Sequence, residues 1–287
     1  KILFGIRISC RQKEIIDFIQ QHHLPYLNLI ILYYDYPEEL TQGLLPQNKD
    51  IQIFIEAIDI EINKFIEQMN PHALILKGNE APGKVSEYTS FLLMQWYLEN
   101  TGYPVFIHGG VGFHTAAGMF SAGASGIVLD DQLYLTEEAP LSDSFKEMIK
   151  EIGEKDTRVL GNYLGNPYRF FSKTATKITK QLHEKETDAF LENRREDLYH
   201  QIAENYARLD QETETPAQQL FYLGQDSLFA KFFTAQSNKL EDIVFQLFRV
   251  IGEKLELTDK YDPLVSDSDF ARGLGIKYPV FQGPMAN

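Results

Sequence analysis

Six apolar runs separated by helix-length amphipathic stretches limit what this chain can fold into more than any other feature. The runs are KILFGIRIS (1–9), LNLIILYY (27–34), IQIFIEAI (51–58), ALILKG (73–78), PVFIHG (104–109) and GIVLDD (126–131). They are near-continuous rather than alternating, as strands covered on both faces are. Between them, Gln12–Gln21 puts Ile15, Ile16, Phe18 and Ile19 on one wide side, and Ile60–Met69 and Thr89–Leu98 behave alike. Repeated strand–helix units of this length predict a parallel sheet with crossover helices. A closed (β/α)8 barrel needs eight strands, so the count by itself also admits an open doubly wound sheet.

The block Pro104–Leu135, PVFIHGGVGFHTAAGMFSAGASGIVLDDQLYL, reads as strand, glycine-rich turn, small-residue helix and second strand. A turn through Gly109, Gly110 and Gly112 bares backbone N–H groups near a helix start, where a phosphate is held well. The next strand, Gly126–Asp130, ends nearby, and two adjacent strand ends with such a turn form a phosphate site in β/α barrels. A tight turn without a ligand is the plainer alternative. Ala116, Ala117, Gly118, Ala122, Gly123 and Ala124 let the helix approach the sheet closely.

A second constellation is LKGNEAPGKVSE, Leu76–Glu87, in which an apolar strand ends at Lys77 and a loop carries Asn79, Glu80 and Lys84. Active-site groups collect on loops at the carboxyl ends of parallel strands. Lys77 and Lys84 are candidates to hold an anion or carbonyl oxygen, and Glu80 to orient a neighbour or act as a base. His108 and His114 flank the glycine turn within reach of a ligand, while His22 and His23 close a helix. The histidines form no metal constellation.

Composition removes several function classes. The 287 residues carry a formal charge of −14, so a nucleic-acid partner would need a basic patch, and none exceeds Arg194-Arg195. Cys10 stands alone, which excludes an internal disulfide framework and fits a reducing, cytoplasmic setting. No apolar run approaches the roughly 20 residues of a membrane span. The opening KILFGIRIS is a strand without initiator Met or targeting pattern, as in a piece cut from something longer.

Beyond Glu137 the pattern turns helical, and no strand is predicted from Ser142 to about Leu257. Leu191, Leu198, Ile202 and Leu209 recur at helical spacing. Asn238 and Glu241 read as a cap pair opening a helix over Lys239–Leu255. Gln211–Gln219, with Pro216, is the predicted internal linker. The organisation expected is a barrel over 1–140, a helical region over 141–273 and a further strand within 274–287.

The two loops carry a family resemblance. GNEAPGK (78–84) resembles the E-A-G-G-H loop after strand six of the nitronate monooxygenase and flavin-dependent enoyl reductase superfamily. HGGVG (108–112) resembles its phosphate loop after strand seven, and GASGIVLDDQL (123–133) its strand eight. GNEAPGKVSEYTSFLLMQ and GIVLDDQLYLTEEAPL are similar to barrels of polyketide and polyunsaturated-fatty-acid-type multidomain synthases. The resemblance covers roughly 50–140 well. It implies a TIM-type (β/α)8 barrel represented here by strands three to eight, and reduction of enoyl thioesters with FMN and an NADH or NADPH donor. It also implies acyl chains on a carrier protein or CoA, and adjacent domains of the same polypeptide, as partners. The residues it places at the cofactor are Lys77, Gly78, Asn79, Gly109, Gly110, Gly112, Asp131 and Gln132, with Lys84 and Glu80 catalytic. YPVFQGPMAN (278–287) resembles the family's first strand, opening a second barrel or closing the first. LGQDS (223–227) weakly resembles its A-G-Q segment.

The departures are chemical. Lys84 stands where the family has His, and with an ordinary pKa of about 10.4 a lysine is a poor base unless desolvated. Asp130-Asp131 stand where the family has Gly-Thr or Gly-Ser, and carboxylates within about 4–6 Å oppose a phosphate. Pro82 replaces a glycine and removes a donor. Three functions remain open on the sequence: an FMN-dependent enoyl-reductase-like oxidoreductase, a degenerate cofactor-free barrel that partners an adjacent flavin barrel, or a barrel that keeps the phosphate pocket for another ligand such as a carrier protein's phosphopantetheine arm.

Overall fold

The computed structural model describes residues 3–44, 50–162, 165–173, 176–191, 220–261 and 265–283. Each of the six apolar runs forms a strand: β1 (Phe4–Ser9), β2 (Leu27–Tyr33), β3 (Gln52–Ala57), β4 (Ala73–Lys77), then, after the two-residue β5 (Gly83–Lys84), β6 (Val105–His108) and β7 (Gly126–Val128). They pair in parallel in the order β1-β2-β3-β4-β6-β7. The result is a mixed α/β half-barrel, as the strand count and the resemblance predict.

Side chains two apart on a strand share a face, and here the two faces differ in kind. Ile6, Ile8, Ile30, Leu32, Ile53, Ile55, Leu74, Leu76, Val105 and Ile107 join the large apolar core. Against them pack Ile16 and Ile19 of α1 (Lys13–Gln21), Ile66 and Met69 of α2 (Asn63–Met69), Leu93, Met94 and Tyr97 of α3 (Ser90–Asn100), and Ala116 and Met119 of α4 (Thr115–Ser121). Ile15 and Phe18 of α1 stay 41% and 52% exposed, so its buried stripe is narrower than its apolar face. The alternate positions point inward. Phe54 and Phe106 meet there at 5.1 Å between ring centroids, and toward the strand ends the inward residues become Arg7, Glu56, Lys77 and His108.

The region past Glu137 corrects the expectation of helix alone. β8 (Thr157–Leu160) and β9 (Tyr168–Phe171) form an antiparallel sheet with β5, in the order β5-β9-β8. These strands are short and bounded by Gly161, Asn166 and Pro167; they pair with each other over four residues, and β9 also pairs with the loop after β4 at Gly83 and Lys84. The long C-terminal helix runs Leu240–Tyr261, and its entry N–H groups go to Ser237 Oγ (from Lys239) and the Glu138 carboxylate (from Leu240), not to Asn238. Leu198, Ile202, Leu209 and the linker Gln211–Gln219 lie outside the described residues. Tyr278–Gly283 pairs with neither sheet, and Val280 and Phe281 are 71% and 65% exposed. Among the described residues no helix is long and apolar enough to cross a membrane.

Candidate active site

A cavity of about 530 Å³ opens at the carboxyl ends of the parallel strands. Its floor is a charge network built from inward strand positions. The Arg7 guanidinium donates to both Glu56 oxygens, Nε to Oε2 at 2.6 Å and Nη2 to Oε1 at 2.8 Å. Lys77 Nζ lies 3.2 Å from Glu56 Oε1, with both side chains about 5% exposed. Burial alone would push the Glu56 carboxyl up; the Lys77 and Arg7 charges outweigh it and hold the group far below the usual carboxylate range. Arg7 also stacks 4.0 Å over the Tyr33 ring. Beside this cluster His108 Nε2 is buried and faces Asp130 Oδ2 at 3.4 Å, an ion-pair contact when the imidazole is protonated. Tyr168 and Tyr222, stacked with centroids 5.9 Å apart, line the walls with Tyr134.

The loop after β4 lies across this mouth and is tied from several sides. Gly78 packs where nothing larger fits, since a Cβ there would stand 2.2 Å from the Ser90 nitrogen. The Asn79 carbonyl accepts from Arg169 Nε at 2.6 Å, and its side-chain amide donates to the Ser86 carbonyl. Glu80 Oε2 accepts from the Ser90 N–H at 3.1 Å, at the start of α3. Lys84 Nζ donates to the carbonyls of Tyr34 and Asp35, on the wall shared with a second cavity of about 360 Å³. Burial lowers the Lys84 pKa to about 8, against the pull of Asp35 and Glu39. Lys77 and Lys84 thus reach the main cavity, whereas the side chains of Asn79 and Glu80 serve the loop itself.

The glycine turn is already served by the chain. Gly109 (φ +113°) and Gly110 (φ +70°) adopt conformations that favour glycine. The Gly110 N–H donates to Asp226 Oδ1 at 2.9 Å and the Val111 N–H to Asp226 Oδ2 at 3.4 Å. Gln132 Nε2 adds a third bond to Oδ2 at 2.8 Å. Gly112 N–H goes to Thr115 Oγ1 at 2.8 Å. Asp226 is 3% exposed, and burial lifts its pKa to about 7 against the pull of the Gly110 and Val111 N–H groups. The sequence suggests Asp130 and Asp131 as the carboxylates opposing a phosphate. Asp130 faces His108, and the fully buried Asp131 accepts from the Gly224 N–H. Burial and Asp130 push Asp131 well above the usual range. The cavity has room for a ring system, but the donors a flavin phosphate would take at this turn are held by Asp226, so the residues present do not fit that phosphate.

Sequence reasoning missed Arg7, Glu56 and Asp226. The first two had a signal: charged residues at alternate positions inside otherwise apolar strands. Asp226 had only the weak LGQDS resemblance.

Comparison with known proteins fixes the lineage. The model of the family described as nitronate monooxygenase matches residues 37–227, which spans both loops, Asp226, and Glu56, Lys77 and His108 of the cavity floor, while Arg7 and Tyr33 lie before it. The chain belongs to the nitronate monooxygenase family. Within this nitronate monooxygenase-family fold, FabK from Thermotoga maritima is a structural neighbour. It has a TM-score of 0.71 and 17% identity, over 90% of this chain and 79% of that one. The enoyl reductase domain of MlnA, from the macrolactin biosynthesis cluster of Bacillus amyloliquefaciens, aligns with a TM-score of 0.58 and 13% identity, over 90% and 82%. A curated relative is the (3aS,4S,5R,7aS)-5-hydroxy-7a-methyl-1-oxo-octahydro-1H-indene-4-carboxyl-CoA dehydrogenase of Rhodococcus jostii (strain RHA1). It is 29% identical over 109 residues, 37% of this chain and 30% of the relative. The chain therefore spans under a third of that relative.

Proposed function

We propose that this chain is an enoyl-reductase-like barrel that receives acyl thioesters at its mouth cavity within a multidomain acyl-chain synthase. The observation that carries this reading is the cavity floor, where buried Lys77 and His108, its Nε2 facing Asp130 at 3.4 Å, lie together at the strand ends. A thioester carbonyl set between them would accept from the Lys77 ammonium, or from His108 in its Nε2–H tautomer. Tyr33, Tyr168 and Tyr222 would flank the acyl chain. The reading is supported by relatives described as an enoyl reductase domain and a carboxyl-CoA dehydrogenase.

The family resemblance adds FMN, an NADH or NADPH donor, and acyl groups carried on CoA or a carrier protein. It also adds neighbouring domains of the same polypeptide, and the lone Cys10 adds a reducing, cytoplasmic setting. No redox step is assigned to this barrel, because its glycine turn does not fit the phosphate. The test is binding of crotonyl-N-acetylcysteamine, followed by saturation-transfer NMR. Lys77→Met and His108→Ala are each expected to weaken binding about tenfold, the loss of one hydrogen bond to a charged or buried group. Binding that neither substitution alters would remove the floor from the function.

One observation favours a second reading, a cofactor-free barrel that supports an adjacent flavin barrel: the carboxylate seated on the glycine turn. Binding of crotonyl-N-acetylcysteamine separates the two, since a barrel that only supports its neighbour binds none.

A further inference from the structure

We propose that Asp226 is an internal surrogate for a ligand phosphate, so that this barrel does not anchor flavin mononucleotide at its glycine turn. The proposal goes beyond the thioester reading and does not depend on it.

The donor set comes first. Three consecutive N–H groups, of Gly110, Val111 and Gly112, are taken by side chains of the chain itself, two of them by Asp226. Gln132 Nε2 supplies a third donor to the same carboxylate. A carboxylate oxygen pair on two adjacent amides and a side-chain amide reproduces the contacts that a phosphate makes in such a cradle.

The anchoring of the segment comes second. The 3-10 turn Gln225–Phe229 is fastened to the active-site loop by the Gln225 N–H, which donates to the Glu80 carbonyl at 2.7 Å. Gly224 N–H is held by Asp131 Oδ2, and Ser227 Oγ closes back on the Gly224 carbonyl at 2.7 Å. A Cβ at Gly224 would stand 2.7 Å from the Glu80 carbonyl oxygen and 2.9 Å from the Pro82 nitrogen, so only glycine allows this approach. Asp226 is thereby built into the seat rather than carried on a free arm. A phosphate arriving at the turn would find its donors already spent and the Asp226 and Glu80 side chains beside them.

The experiment titrates the full 287-residue chain with FMN and, separately, with riboflavin, which lacks the phosphate, following quenching of flavin fluorescence. The wild-type chain is expected to show no preference for FMN. Asp226→Ala, which frees the donors, is expected to bind FMN at least tenfold more tightly than riboflavin. Asp226→Asn, which keeps the shape and one acceptor, should lie between them and serves if the alanine variant does not fold. Stoichiometric FMN on the wild-type chain with a clear preference over riboflavin overturns the proposal. So does a folded Asp226→Ala protein that still fails to distinguish them. Crotonyl-N-acetylcysteamine binding, measured on the same samples, reports on the thioester reading alone.

Discussion

Glu56 is a carboxylate placed inside a barrel by two cations that need it. Arg7 binds it through two nitrogens and Lys77 approaches from the next strand, and the Glu56 side chain is only 5% exposed. Removing one partner of a buried network leaves the others uncompensated. Glu56→Gln is expected to cost about 3 kcal/mol in urea unfolding near neutral pH, the lower end of the range for broken buried pairs because Arg7 is 45% exposed. The pH dependence has a definite sign. Glu56 is held below its ordinary pKa in the folded state, so its contribution is complete above the unfolded carboxylate pKa and fades as the medium is acidified toward the folded value. The gap in urea midpoint between wild type and Glu56→Gln should narrow on going from neutral pH to about pH 3, below the ordinary carboxylate pKa. A constant gap would mean that the network is not what holds the charge.

At the scale of elements, one glycine sets how closely β6 and β7 can pack. Phe106 lies opposite Gly126 in the parallel register, and a Cβ at Gly126 would stand 2.4 Å from the Phe106 ring. That ring has little freedom, because it rests on Phe54. Gly126→Ala should destabilise the chain by about 1–3 kcal/mol through overpacking. Part of the loss should return in the Gly126→Ala/Phe106→Leu double variant, measured by urea unfolding. The six core strands and α1 to α4 were legible in sequence because periodicity and apolar content both pointed to them. β8 and β9 were not, since four-residue strands carry little pattern and form by pairing with each other and, for β9, with Gly83–Lys84. At the site, Lys77 and Lys84 were found by their position after apolar strands. Arg7 and Glu56 were absorbed into those strands as if they were core.

The whole molecule is a half-barrel whose described sheet has two edges, β1 and β7. An edge strand presents unpaired backbone groups and invites pairing with another chain. On β1 the hazard is greater because Leu3 and Phe4 are 58% and 47% exposed. The 287-residue chain by itself is expected to self-associate through this edge, with Phe4→Lys shifting it toward monomer in light scattering at matched concentration. Association that Phe4→Lys leaves unchanged would point to a different surface.

Local chemistry determined the strand–helix alternation, the glycine turn with its left-handed residues, and the loop after β4, because each depends on neighbours within a few positions. The sequence also carried the family resemblance through those loops. What the glycine turn binds was decided only by tertiary structure. Asp226 lies 116 positions from Gly110, and no local pattern links the two. Their meeting depends on a 3-10 turn fastened to Glu80 and Asp131, and it turns a candidate phosphate cradle into a seat for the chain's own carboxylate.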